Sequence, residues 1–131
     1  MLHPSNFDVN EAWIVFRLNE APIFTERDGD FNIIALMDAA SCFILGTEFV
    51  PVTSAEPSEM GAKRLIKSGK SHKNQLPKTL YIPENQAANM LCTEAERNGV
   101  TVLRVPEEQL LVFIGEAREG LKEHIGGGSF Q

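Results

Sequence analysis

Residues 31–50, FNIIALMDAASCFILGTEFV, hold two apolar runs separated by Ala39, Ala40 and Ser41. The first, residues 31–37, carries Ile33, Ile34, Leu36 and Met37 with almost no polar interruption, the pattern of a strand covered on both faces. The second, residues 42–50, supplies Phe43, Ile44, Leu45, Phe49 and Val50, and Pro51 marks its end because it has no N–H to give to a ladder. Together they read as a β-hairpin whose first run is a central strand of a sheet.

Upstream, residues 12–19, AWIVFRLN, are aromatic and β-branched and read as another strand. Trp13, Val15 and a break at Arg17 share one face, while Ile14, Phe16 and Leu18 share the other and are expected to face the core. Residues 26–30, ERDGD, contain an Asp-Gly pair that accepts positive φ, so they serve as the connection to the hairpin. Residues 1–10 are polar and aperiodic, the composition of a mobile arm that orders only where it touches the body.

Downstream of Pro51 the chain turns polar. Pro57, Met60, Leu65 and Ile66 suit a helix of about three turns that ends at Ser68-Gly69-Lys70-Ser71. Residues 68–77, SGKSHKNQLP, then read as a mobile loop before a short strand at 79–82. Asn85 is expected to cap a helix with Ala87, Ala88, Met90, Leu91 and Ala95 on its apolar face and Gly99 as its C′ residue. Residues 100–105, VTVLRV, read as a buried strand, and the short return makes 79–105 a βαβ unit with parallel strands. From Glu107 onward, Leu110, Leu111, Ile114, Ala117, Leu121 and Ile125 repeat at helical spacing up to a stop at Gly126, followed by a Gly-rich tail over 126–131.

The expected fold is therefore α/β: a single domain over residues 1–131, with elements in the order βββ-α-β-α-β-α and a mixed five-stranded sheet flanked by helices. A chain of 131 residues can bury a core without a disulfide or metal staple. Hydrophobic content of 43% and charged content of 23% are ordinary for a globular domain. No apolar run is long enough for a membrane span and the start lacks a signal pattern, so a cytoplasmic address with no membrane partner is expected. Cys42 and Cys92 read as small hydrophobes rather than a disulfide.

That order of elements resembles the ribonuclease H-like fold, and especially the integrase and transposase cores, over roughly residues 12–125. Residues 37–41, MDAAS, are similar to the family's segment joining the second strand to the third. Residues 79–85, TLYIPEN, fall where the family places its fourth strand and second catalytic carboxylate, and 115–122, GEAREGLK, look like the last-helix stretch holding the third. The resemblance implies carboxylates converging on two divalent metals, which hold the attacking water and the leaving oxygen of a phosphodiester. Under that reading Asp38, Glu84 and Glu116 are the catalytic residues of a metal-dependent nuclease or nucleotidyl transferase, with Asp38 and Glu84 ligating Mg²⁺ or Mn²⁺.

The first of the family's acids belongs in the middle of the first strand, where residues 12–19 offer only Arg17 and Asn19 nearby. Asp38 replaces it only if 31–38 is itself the first strand, which leaves one strand too few before the helix. The favoured expectation is thus a non-catalytic binding module that needs no cofactor. Each acid also has a structural reading: Asp38 bonding its own turn, Glu84 beside a helix N-terminus, and Glu116 on a solvated helix face.

Charge points to where such a module would bind. The net charge of −6 argues against broad attraction to nucleic acid, yet the distribution is uneven. Residues 1–59 hold ten acids and two bases, residues 60–83 hold six bases and no acid, and residues 84–131 hold eight acids and four bases. Those six bases, Lys63, Arg64, Lys67, Lys70, Lys73 and Lys78, are the candidate contacts to nucleic acid, to a protein partner or to the acidic face of a second copy. The segment lacks interleaved aromatics for base stacking, which favours a solvated helix face as the structural alternative.

Overall fold

A computed structural model describes residues 1–27 and 29–124. Its elements are β1 (Ala12–Arg17), β2 (Phe31–Asp38), β3 (Ile44–Pro51), α1 (Glu59–Lys73), β4 (Thr79–Pro83), α2 (Asn89–Arg97), β5 (Thr101–Val105) and α3 (Leu111–His124), the last preceded by a 3₁₀ turn at Glu107–Leu110. The order is the expected one. The expected helix stop at Gly126 and the tail over 126–131 lie outside the described residues, as does Asp28 of the connection between β1 and β2.

The five strands form one sheet in the order β3-β2-β1-β4-β5. β2 pairs antiparallel with both β1 and β3, whereas β4 pairs parallel with β1 and with β5. The hairpin is present and β2 is interior, but the middle of the sheet is β1. Alternation along β1 explains why it can occupy that place. Trp13 and Val15 join Ile34, Leu36, Leu65 and Leu91 in the core under α1 and α2. Ile14, Phe16 and Leu18 join Ile33, Ala35 and Met37 under Phe113 and Ile114 of α3. Both faces of β1 are therefore buried, not only the Ile14, Phe16 and Leu18 face.

α1 is longer than its sequence indicates. Ser58 caps it by accepting the Gly61 N–H, and the helix runs straight through Ser68-Gly69-Lys70-Ser71 to Asn74, which takes the left-handed conformation at φ 53°. Gly69 does not break the helix because it is where the helix meets the sheet. A Cβ there would lie 2.6 Å from Trp13 Cη2 and 2.8 Å from Leu36 Cδ2. Burial of the stripe Ala62, Leu65, Ile66 and Gly69 outweighs the roughly 1 kcal/mol that glycine costs in a helix interior. The expected ten-residue loop over 68–77 thereby shrinks to the few residues between Lys73 and Thr79.

α2 also differs from expectation. It begins at Asn89, four residues after Asn85, and its N-cap Ala88 makes no side-chain bond. The Met90 N–H instead donates to Glu56 Oε1 at 2.7 Å, so a carboxylate from the segment ahead of α1 serves the end of α2. Gly99 holds the expected C′ position at φ 82°. β5 is an edge strand with Leu103 42% exposed, not a buried one, because it has a single neighbour. The N-terminal segment lies against the body: Leu2 N–H donates to Gln109 O, and the Phe7 ring packs on Tyr81 and Phe113.

Candidate functional site

The three carboxylates of the catalytic reading do not converge. Asp38 lies opposite Trp13, which lies opposite Leu80, so it marks the end of the sheet where β1 and β4 begin. Glu84 follows β4 at the other end. The four residues from Leu80 to Glu84 span about 13 Å and two strand spacings add about 10 Å sideways, leaving about 16 Å between the two backbones. A pair of ions about 4 Å apart cannot be held by both side chains. Glu116 is exposed on α3 and, with Asp38, close enough to Cys42 to act on its thiol. Asp38 and Glu116 thus share a neighbourhood that Glu84 does not.

Asp38 is fully engaged in its turn. It is 2% exposed; Oδ1 accepts the Asn10 N–H at 2.7 Å, and Oδ2 accepts the Ser41 N–H at 2.9 Å and the Ser41 hydroxyl at 2.7 Å. These bonds close the five-residue connection between β2 and β3, in which Cys42 takes φ 60°. β1 carries no acid, and because it is the middle strand the alternative in which β2 comes first is overturned. Among the described residues no three His, Cys, Asp or Glu side chains come together as a metal set. Asp38, Glu84 and Glu116, as placed, do not fit the two-metal arrangement.

Burial pushes the Cys42 thiol above its ordinary pKa, and the negative charges of Glu116 and then Asp38 push it further. Neither cysteine is paired.

The basic segment is ordered by the extension of α1. Lys63, Lys67 and Lys70 fall within an arc of about 60° and a rise of about 10 Å on the exposed side of the helix, since 3.6 residues make a turn. Lys63 is 3.4 Å from Glu59, and Arg64 turns toward β3 to grip the Glu48 carboxylate, which raises its already high pKa. Lys67, Lys70, Lys73 and Lys78 are exposed and have no ion-pair partner among the described residues. At the C-terminal end of α1, the tip of the hairpin contributes the aromatic that the segment itself lacks. Phe43, 55% exposed, meets His72 edge to face at 5.3 Å, and both line a cleft of about 340 Å³ beside Lys73. Only the tertiary fold brings position 43 to position 72, so no local pattern could have revealed it.

At the opposite end of the sheet a second cleft, of about 240 Å³, opens between the end of β1, residues of β2 and β3 and the turn that follows β4. The pairing of β1 with β4 stops at Ile14–Tyr81, although β1 continues to Arg17 and β4 to Pro83. Into the gap come Gln86, whose Oε1 accepts the Arg17 N–H at 3.1 Å, and Arg118, whose Nη2 donates to Arg17 O at 2.9 Å. In the sequence Arg17 stood out as a break in a strand and as a base near the place of the family's first acid; a charge that ends an otherwise buried strand was the available signal for its place at the cleft.

Comparison with known proteins places this architecture. No family model matches the chain, and no curated protein matches it in sequence. Among solved structures, the catalytic core domain of BIV integrase superposes with a TM-score of 0.59 at 13% identity, covering 93% of this chain and 74% of that one. Identity at that level speaks for the fold. The mixed five-stranded sheet, its strand order and its three flanking helices give this chain a ribonuclease H-like fold similar to that of the integrase core.

Proposed function

We propose that the chain is a cytoplasmic, non-catalytic ribonuclease H-like module, free of metal or other cofactor, that binds nucleic acid through the exposed side and C-terminal end of α1. The observation that carries this reading is the continuity of α1, which sets Lys67, Lys70 and Lys73 on one rigid element with no acid opposing them among the described residues. Lys78 extends the surface, while Lys63 and Arg64 flank it with their charges already matched by Glu59 and Glu48. The exposed Phe43 ring beside Lys73 supplies a face on which a base can stack. An integrase core as structural neighbour and two unpaired thiols agree with a nucleic-acid-related role in a reducing compartment.

Fluorescence anisotropy of a labelled oligonucleotide across a salt series tests it. Each lysine on a phosphate adds roughly 0.7 to 0.9 to the slope of log affinity against log salt, so replacing Lys67, Lys70 and Lys73 by Ala flattens that slope by up to about 2 to 3. Absence of binding at low salt overturns the nucleic-acid reading and leaves a protein partner or a second copy for this surface. Nicking of DNA or RNA with Mg²⁺ or Mn²⁺ that Glu84→Gln abolishes overturns the non-catalytic one.

A further inference from the structure

The cleft of about 340 Å³ at the tip of the β2–β3 hairpin is walled by the N-terminal segment, the hairpin and the end of α1. These walls are locked to one another. Asn10 gives its N–H to Asp38 Oδ1 at 2.7 Å and its side-chain amide to Gln75 O at 3.1 Å. In the hairpin, Phe43 O accepts the Asp38 N–H at 2.9 Å, and the Phe43 N–H donates to Ser41 Oγ at 3.3 Å. From α1, the Ser68 hydroxyl donates to Leu45 O at 2.8 Å. The cleft is therefore formed before any ligand arrives, which lowers the entropy lost on binding.

Backbone conformation marks the same place. Among the described residues, the non-glycine positions with positive φ are Asn10 at 65°, Cys42 at 60° and Asn74 at 53°. Each adjoins a residue that lines the cleft: Val9, Phe43 and Lys73 respectively. Asparagine enters this region readily, whereas cysteine does so at a cost, and strain of this kind persists where surrounding bonds over-determine it, as at ligand clamps. The strained cysteine is the one that precedes Phe43, whose ring is left 55% exposed.

The cleft offers an aromatic face beside uncommitted positive charge. Among the described residues Phe43 meets only the His72 ring, with the two planes at 69°, so no ring is stacked flat on it. Val9, exposed, and Leu45, buried, continue the apolar surface. Lys73 lines the cleft and Lys70 precedes it on α1; both are exposed, and neither makes an ion pair or hydrogen bond among the described residues. The acid on the lining, Asp38, is buried and committed to Asn10 and Ser41.

We infer that this cleft seats one unpaired base, so that the ligand of the α1 surface is single-stranded nucleic acid; this rests on the nucleic-acid reading of α1. A base inside a duplex has its faces covered by its neighbours and shows only its edges in a groove, whereas an unpaired base can lay a face on an aromatic ring. The volume of about 340 Å³ is near the lower end for small-ligand sites, room for a base with its sugar and not for a duplex. The lysines fit the same strand. From Lys67 to Lys73 the helix rises about 9 Å, which accompanies about two or three phosphates of one strand.

Fluorescence anisotropy of the full chain with short labelled probes tests this. The probes are an intact single strand as DNA and as RNA, the DNA strand with abasic sugars throughout, and the blunt duplex. The abasic strand keeps every phosphate and loses every stacking face, so it should bind roughly five- to a hundredfold more weakly than the intact strand. Phe43→Ala should weaken the intact strand by a similar factor and the abasic strand by less than about twofold, and Phe43→Trp should restore the intact strand. Tighter binding of RNA than of DNA supports the site with the 2′-hydroxyl in contact, and equal binding supports it with the sugar outside. Equal affinity for the intact and abasic strands, or a loss of duplex binding in Phe43→Ala as large as the loss of single-strand binding, overturns the unpaired base while the nucleic-acid reading of α1 stands. No binding of any probe at low salt overturns that reading and this inference with it.

Discussion

Gly69→Ala pits two opposing effects against each other, and the contacts around the position decide the sign. In an exposed helix interior the change stabilises by about 0.5–1 kcal/mol, because alanine loses less backbone entropy. At position 69 the new methyl would meet Trp13 Cη2 at 2.6 Å and both Trp13 Cζ3 and Leu36 Cδ2 at 2.8 Å. Neither side chain can yield cheaply: both are 0% exposed, and the indole N–H donates to Asn10 Oδ1 at 2.8 Å. Overpacking of this kind costs about 1–3 kcal/mol, and a strained indole bond adds about 1. The net expectation is a loss of about 1–3 kcal/mol, which lowers the urea midpoint by about 0.7–2 M at a slope of about 1.5 kcal/mol/M. Gly115→Ala and Gly120→Ala in α3 are the controls, since a Cβ at either position meets nothing within 4 Å. Both should hold or raise the midpoint. A Gly69→Ala protein as stable as the two controls would refute the close approach of α1 to the sheet.

Asp38→Ala removes the acceptor of three bonds from Asn10 and Ser41 and should cost about 2–4 kcal/mol by urea unfolding, whereas Ser41→Ala, which keeps the Ser41 N–H bond, should cost about 1. Alkylation of Cys42, followed peptide by peptide in a mass spectrometer, should rise with pH along a curve whose midpoint lies above that of a free thiol. The raised pKa keeps the unreactive thiol form to higher pH, and Glu116→Gln should shift the curve downward. Glu56→Ala should destabilise by about 1 kcal/mol with faster amide exchange at Met90, since the carboxylate bonds that N–H at 2.7 Å.

Where apolar periodicity was strong, the sequence was a sound guide. The hairpin was legible because two long apolar runs flank a small-residue break, and the βαβ unit because Gly99 closes its helix in the left-handed region. The placement of α1 was not legible, since Ser68-Gly69-Lys70-Ser71 has the composition of a loop and only the Trp13 ring beneath it shows why glycine sits in a helix. Asn85 looked like a cap because its type fits one, yet the carboxylate that serves α2 comes from residue 56. The carboxylates at 38 and 84 were each recognisable from their flanks, but strand register, which sets them at opposite ends of the sheet, cannot be read from flanks. Likewise Gln86 and Arg118, far apart in sequence, meet only at the backbone of Arg17.

The loan of Glu56 to α2 ties together two pieces of chain that topology would otherwise leave independent. A helix of nine residues without a cap of its own is too short to persist in water. Its core-facing side is held by packing, and its first turn is completed by the strand-to-helix connection ahead of α1, a contact closed across 34 residues. Hydrogen exchange should consequently find these two segments opening as one cooperative unit at a free energy below that of the β1–β2 ladder.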